Sequence, residues 1–468
     1  MTFSEWVQIW YPALDLERST RTNYRNALKS HIMSTFGHLA LARITPLMIN
    51  TWERSITDAG YAVSTARTAR AVLSTALDDA VRAGHIPSNP AVRPRGKGKK
   101  ATRRIEAFEQ AEKVWPTPFE GLLIAERAAL VSGRWEDFVM ILTSLFTGLR
   151  WSEVLALIPD SLRQRGLITT HWKLYEDGDE GGFYWGRPKD GSMRAVEVPE
   201  WLWTMLKAIK PRRCACSPTA AAPFCQGREV LFLGSRTHHR RSAWGRLYMR
   251  PAADGLYPAH GGRSERPVLA DASASWPGEP LEPWPKVAPG AEFVRPVLRH
   301  ITRQTPRPIN SRTLRADLIA YAIEQGADPA VVARSSREAL LRAYVYPSGD
   351  ALVSWLPVRE GLTFHGLRHG HQTMMDNGNV KPALKVQRMG HTDFTMSARY
   401  GHVTDEMVAE LLALLDAVWE TALRRRFEIS PRSAVALLDE ALQGLDQGAV
   451  VPLFSQNSPK TAEAISPA

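Results

Sequence analysis

Residues 363–402 read TFHGLRHGHQTMMDNGNVKPALKVQRMGHTDFTMSARYGH. The stretch gathers a histidine (His365), an arginine three residues on (Arg368), a second histidine in Met-Gly-His (His391) and a tyrosine nine residues later (Tyr400). These are the groups that a phosphate-attacking tyrosine needs. An arginine neutralises the phosphate, imidazoles donate hydrogen bonds or take protons, and a phenol supplies the nucleophilic oxygen.

Charge points to the partner. The 468 residues hold 59 Lys and Arg against 48 Asp and Glu, a net +11. Such an excess suits a polyanion, either nucleic acid or an anionic membrane surface. No run approaches the length of a membrane span, and the N-terminus lacks a basic segment followed by an apolar one, so insertion and secretion are not expected. Three cysteines, all between Cys214 and Cys225, make no disulfide framework and suit a reducing cytosol. The length allows two or three domains. Together with the first stretch, the expected chemistry is cutting and rejoining of DNA through a covalent phosphotyrosine.

Residues 1–92 read as an all-helical unit. Trp6, Ile9 and Trp10 mark a first amphipathic helix, and Ser19-Thr20 is placed to cap a second that carries Tyr24, Leu28 and Ile32. Thr45-Pro46 opens a third, with Met48, Ile49 and Trp52. Ser64-Thr65 opens a fourth, with Val72, Leu73, Ala76, Leu77 and Val81 at helical spacing. The outward faces of the second and fourth are basic, through Arg18, Arg21, Arg25, Lys29, Arg67 and Arg70; they are phosphate contacts or an ordinary solvated face. Residues 93–104, RPRGKGKKATRR, hold seven basic residues in twelve. Lys97, Lys99 and Lys100 there belong to a strap along phosphates or to a plain solvated linker, taken as 93–106.

A second domain is expected over 107–428. Its helical pattern runs through 122–131 and 135–149 and ends in Thr147-Gly148-Leu149-Arg150-Trp151-Ser152-Glu153. Arg150 and Glu153 stand one helical turn apart and can share a face. A surface ion pair is one reading; a helix start aiming the guanidinium at a phosphate is the other. Residues 167–198 look like strands, with Lys189-Asp190-Gly191-Ser192 as a hairpin turn between FYWGRPK and RAVEVPE. Lys189 sits at its lip, where edge lysines also guard against aggregation.

Residues 212–358 look like an irregular insertion. Cys214, Cys216 and Cys225 precede a strand-like VLFL (230–233), and with His238 they can furnish four tetrahedral Zn²⁺ ligands. The spacing matches no common zinc motif, and three plain thiols is the other reading. Residues 255–296, rich in Pro, Gly, Ser and Ala, read as a long surface loop, and 313–325 and 328–346 as inserted helices. Residues 406–426 form a strongly amphipathic pattern (Met407, Leu411, Leu412, Leu415, Val418, Leu423). That helix completes its own domain or docks on a neighbouring subunit. Residues 429–468 read as a partly disordered tail.

Taken together, these segments resemble the tyrosine recombinase (phage integrase) family, most of all the integrases of actinobacterial plasmids and phages. The Thr147–Glu153 string matches the box with the family's first arginine, and Arg187-Pro-Lys-Asp-Gly-Ser-Met-Arg-Ala-Val-Glu-Val-Pro its lysine hairpin. His365-Gly-Leu-Arg-His matches the H-x-x-R box, and Met389-Gly390-His391 with Tyr400 the last histidine and the nucleophile. The resemblance covers roughly residues 2–425. It implies a mainly α fold with a small antiparallel β-sheet, built as a two-domain clamp: a helical core-binding domain that grips DNA and an α+β catalytic domain.

The same resemblance assigns roles. Arg150 and Arg368 would hold the scissile phosphate, His365 and His391 would add hydrogen bonds, Lys189 (or, less well, Lys173) would protonate the leaving 5′-oxygen, and Tyr400 would attack. Glu153 and His369 would support them. No cofactor is required by that chemistry. Implied partners are double-stranded DNA attachment sites, three further copies in a homotetramer on synapsed DNA (a monomer when free) and an excision or directionality factor, with no membrane. The implied location is the bacterial cytoplasm, on the nucleoid when DNA is bound. Many members carry an extra N-terminal arm-binding domain, whereas this chain begins almost directly with the core-binding helices. A type IB-like topoisomerase and a non-catalytic DNA-binding protein of the same fold are the competing outcomes.

Overall fold

The computed structural model describes residues 1–92, 113–176, 182–187, 193–216, 225, 227–262, 264–271, 276–278, 280, 315–324, 326–336, 340, 352–390 and 402–446. It divides into two units, Met1–Glu112 and Lys113–Ala468. The basic segment with Lys97, Lys99 and Lys100, the hairpin lysine Lys189, and both His391 and Tyr400 lie outside the described residues.

The first unit contains the four expected helices, Phe3–Ala13, Arg18–Ala27, Pro46–Asp58 and Val63–Arg82, the second running on through a π-helical turn, Leu28–Ile32. A capping box opens the first: Thr2 N donates to Glu5 at 2.8 Å and Glu5 N to Thr2 Oγ1 at 3.3 Å. Thr45 caps the third, with Pro46 at the first helical position. The second starts one residue before Ser19, with Glu17 at the cap position and no side-chain bond, so Ser19 and Thr20 do not cap it. Phe3, Trp6 and Trp10 are buried, while Ile9, expected with them, faces solvent. Buried tryptophans need a partner for the indole N–H, and here those bonds join helices: Trp6 to Ala76 O (2.8 Å), Trp10 to Asp79 (2.7 Å) and Trp52 to His31 O (2.8 Å).

The basic face is smaller than expected. Lys29 and Arg67 are exposed, and Arg21 and Arg25 are half-buried. Arg70 is not on that face. It is buried, donating to Glu53 (2.8 Å), Asn50 (2.7 Å) and Ala91 O (2.9 Å). Its position shares the inward side of its helix with Ala66, Leu73 and Leu77, so this guanidinium serves packing.

In the second unit the helix Trp135–Thr147 is buried on every side from Asp137 onward, as a helix at the centre of a core must be. Around it pack the helices Pro118–Ser132, Phe364–Asn377 and Asp405–Ile429. Asp405–Ile429 buries Leu411, Leu415, Trp419 and Leu423 in this same core, and Trp419 stacks on Trp201 at 4.1 Å. The amphipathic helix therefore completes its own domain. Beyond it, within the 429–468 stretch expected as a partly disordered tail, the helix Ala436–Asp446 buries Leu438 and Leu442; 447–468, expected to be its disordered part, lie outside the described residues.

Strand pairing differs from expectation. β1 (Leu167–Thr170) pairs antiparallel with β4 (Arg194–Glu197), and β2 (Lys173–Glu176) with β3 (Phe183–Gly186). The two strands flanking the Asp-Gly turn are thus not partners among the described residues; each pairs with an earlier strand. Alternation reveals which face of a strand is buried, not which neighbour it takes. The expected surface loop over 255–296 is also partly corrected. Leu256–Tyr257 pairs with Arg266–Pro267, and Leu269–Asp271 with Leu352–Ser354. Tyr257, Val268, Ala270 and Trp355 form a small core beneath them. The expected inserted helices are found as Arg315–Glu324 and the short Pro329–Val332, packed in a cluster of their own.

Candidate active site

The site begins where the central helix breaks. Gly148 adopts φ +69°, and a side chain there would strike Met389 and His371; only glycine suits both the left-handed turn and the close approach. The chain then starts the short helix Trp151–Val154 with Arg150 at its N-cap. The Glu153 carboxylate accepts the Arg150 backbone N–H at 2.8 Å and its Nη1 at 3.0 Å. Spacing anticipated that pair, but not its third member. Arg194 of β4 donates through Nη2 to the same carboxylate at 2.8 Å.

Arg368 enters from the Phe364–Asn377 helix and is buried, with Nη1 donating to Gly148 O and Nη2 to Met389 O. Arg194 Nη1 donates to the same Met389 carbonyl at 3.1 Å, and Arg150 Nη2 to Gly390 O at 3.5 Å. Gly390 sits at φ +58°, and a Cβ there would collide with the Arg194 guanidinium. Three arginines from three segments thus hold the two residues that lead into His391.

Behind them Arg388 is fully buried, donating to His371 Nε2 (2.9 Å), Glu197 O (2.8 Å) and Phe146 O (2.9 Å). Because His371 Nε2 accepts, the ring is neutral with its proton on Nδ1. Burial, then Arg388, push its pKa well below the usual range.

Among the described residues, the centre is rich in positive charge. Burial, then Arg150 and Arg194, bring Arg368 down to about 9 against the pull of Glu153. Burial also lowers Arg194, with Glu153 opposing and Arg150 adding. Burial alone would raise Glu153, but Arg194 and the Arg150 amide and guanidinium outweigh it, and its carboxyl falls below the usual range. His365 keeps contact with solvent and packs edge-on against His369, ring centroids 4.8 Å apart. Partial burial, then His369, Arg368, Arg241 and Arg150, push His365 down to about 4. Among the described residues, the guanidiniums of Arg150, Arg194 and Arg368 gather around the Glu153 carboxylate, a setting that would favour an incoming anion.

Of the residues expected from sequence, Arg150, Glu153, His365, Arg368 and His369 come together here. His371, expected with His369 to support the site or pack, is buried against Arg388; Arg194 and Arg388 were missed. Arg194 did leave a signal: its charge falls on the same side of the strand as Val196, and both face inward. Elsewhere in the unit, Cys214, Cys216, Cys225 and His238 also converge.

Residues 2–55 match the family model described as phage integrase, N-terminal SAM-like domain. The chain resembles the phage integrases. It is 29% identical over 133 residues to the prophage phiRv2 integrase of Mycobacterium tuberculosis, a match covering 26% of this chain and 33% of that one. It therefore aligns with only about a third of the length of the curated relatives it matches. Among solved structures it is similar to the Tn1549 transposon integrase in complex with transposon right end DNA (TM-score 0.48, 16% identity, 88% of this chain and 99% of that one). Another is a lambda integrase dimer bound to a COC′ core site (TM-score 0.41, 15% identity, 86% and 100%). The family match lies in the first unit, the arginine centre in the second. Among the described residues, no helix is long and apolar enough to cross a membrane.

Proposed function

We propose that the chain is a tyrosine-type site-specific DNA recombinase, an integrase that joins plasmid or phage DNA to a chromosome at double-stranded attachment sites. The observation that carries this reading is the convergence of Arg150, Arg194 and Arg368 on Glu153 and on the Met389-Gly390 segment, which leads in sequence to His391 and Tyr400. Arg150 and Arg368 grip the non-bridging oxygens of the scissile phosphate, where charge grows in the pentacoordinate transition state. Each is worth on the order of 3–4 kcal/mol of barrier.

His365, neutral at pH 7, accepts the Tyr400 phenol proton as the tyrosine oxygen bonds to phosphorus, and His391 adds a hydrogen bond. The bond to the 5′-oxygen breaks, and Lys189 donates the proton that the leaving alkoxide needs. Lys173 is a poorer donor for that step, being buried with Nζ bonded to Tyr175 at 3.0 Å. The 3′-phosphotyrosine keeps the bond energy, so attack by a 5′-hydroxyl reverses the step without ATP. Glu153 and Arg194 keep Arg150 and the Met389 carbonyl in place. Exchange between two duplexes calls for four protomers on DNA.

The test is a nicked suicide duplex carrying the element's own attachment site. Wild-type protein is expected to form a covalent adduct that survives denaturing electrophoresis, and Tyr400→Phe to form none. No adduct from the wild type would leave the chain a DNA-binding protein without strand transfer. A plasmid with two attachment sites separates the topoisomerase alternative: relaxed circles without recombinant junctions would reject integration.

A further inference from the structure

We propose that Cys214, Cys216, Cys225 and His238 bind a structural Zn²⁺ that fastens the start of the 212–358 insertion to the β2–β3 pair, a role independent of the strand-transfer reading. One ligand atom from each of the four residues lies within 4.8 Å of all the others. Three of the residues are buried and Cys216 is half-buried. Tetrahedral zinc, with Zn–S about 2.3 Å and Zn–N about 2.0–2.1 Å, places its ligands roughly 3.5–3.8 Å apart. Shifts of about 1 Å would bring these atoms onto one metal ion.

Backbone N–H groups converge on the sulfurs. Cys216 N donates to Cys214 Sγ at 3.3 Å, and the backbone amides of Gly227 and Arg228 face the Cys225 sulfur. Gly227, at φ +59°, supplies the left-handed turn that follows Cys225. His238 directs Nε2 at Cys225 Sγ, 2.7 Å away, while its buried Nδ1 has no partner among the described residues. The imidazole is therefore engaged by the sulfur cluster alone. Val230, Leu233, Ile158 and Trp185 close the rest of the pocket with apolar surface.

The structure joins Cys214 and Cys216 as a disulfide and leaves Cys225 as the free thiol; reduced and metal-bound, the same four residues make a closed four-ligand site. Its mechanical consequence lies in β3. Phe183 and Trp185 pack against the His238 ring at 5.1 and 6.2 Å, and Trp185 Nε1 donates to Cys225 O at 3.1 Å. A metal there would hold the β2–β3 pair from behind.

Metal analysis of the full chain, purified under reducing conditions and reconstituted with Zn²⁺, is expected to give about one zinc per chain. Native mass spectrometry should show the same increment, lost with a strong chelator. Co²⁺ added to the stripped protein should give thiolate charge-transfer bands and an intense tetrahedral visible spectrum. All three thiols should resist alkylation until metal is removed, and Cys225→Ser and His238→Ala should each lose the retained metal. Because those variants can fold poorly, the wild-type measurements decide. Less than a few tenths of a zinc per chain would overturn the proposal, as would a Co²⁺ spectrum without thiolate bands. So would a mass two hydrogens short, with Cys214 and Cys216 joined as a disulfide in the reduced preparation.

Discussion

Arg426 and Arg368 are both buried on helices of the second unit, and their guanidiniums are held in different ways. Arg426 places Nε and Nη2 on the two oxygens of Glu126, each at 2.7 Å, with both side chains fully buried. Ser433 Oγ adds a third bond to that carboxylate, and the carbonyls of Ser430, Trp276 and Arg432 accept from Arg426. Arg368 instead donates to the carbonyls of Gly148 and Met389, while the Glu153 carboxylate, bonded by Arg150 and Arg194, acts on it through space. One centre is a bidentate lock between the helix Asp405–Ile429 and the helix Pro118–Ser132, with buried Arg127 beside the same carboxylate. In the other, among the described residues, the guanidiniums are held by backbone carbonyls and by Glu153, without a bidentate carboxylate on Arg368. Burial of arginine alone does not mark a functional site; the way its charge is held does.

The largest effect should come from the lock. Arg426→Met leaves Glu126 buried and unpaired, and should cost the second unit about 3–5 kcal/mol in chemical denaturation. Arg368→Met removes a cation held by backbone carbonyls and should cost less than half of that. Equal losses would erase the distinction. Arg150→Ala should slow single-turnover DNA cleavage about 10²–10³-fold, some 3–4 kcal/mol, while moving stability by no more than about 1 kcal/mol. A stability loss matching the rate loss would make Arg150 a structural residue instead.

The contrast extends to the first unit. Arg70→Ala should lower stability by about 1.5–3 kcal/mol, as loss of buried charged hydrogen bonds does, and leave the salt dependence of DNA binding unchanged. Lys29→Ala should do the reverse, reducing that salt slope by about one. A smaller effect comes from pH. The fold holds His371 neutral while the unfolded chain takes up a proton near pH 6.5. Its contribution is therefore present above about pH 6.5 and lost as pH falls below it. His371→Gln keeps an acceptor for Arg388 and should flatten the acid decline in stability by up to one proton, about 1.4 kcal/mol per pH unit. An unchanged slope would mean that His371 is already protonated in the fold.

What could be seen in the sequence was local. Periodicity placed the helices around Trp6, Trp10, Leu73 and Leu77, and spacing put Arg150 beside Glu153 and His365 one turn from Arg368. What escaped was decided across space. Arg70 looked outward by composition, yet its partner Glu53 stands 17 residues away. Arg194 read as a hairpin residue because the Asp-Gly turn says nothing about strand partners, and its real neighbours come from β1 and from Glu153. Arg388 and His371 are seen to pair only once two helices have packed. The helix Ala436–Asp446 was read as tail because its polar flanks hid two leucines whose burial depends on the core beneath them.

The claim that the Arg368 centre neutralises a phosphate has a direct test. In single-turnover cleavage of the suicide duplex, the scissile phosphodiester is replaced by a methylphosphonate, which lacks the anionic charge, and wild type is compared with Arg368→Ala on both substrates. A loss of about 10²–10³-fold is expected on the native phosphate, shrinking at least roughly tenfold on the neutral ester, where no charge remains to be balanced. A folding defect would burden both substrates alike, so equal losses on the two would contradict the claim.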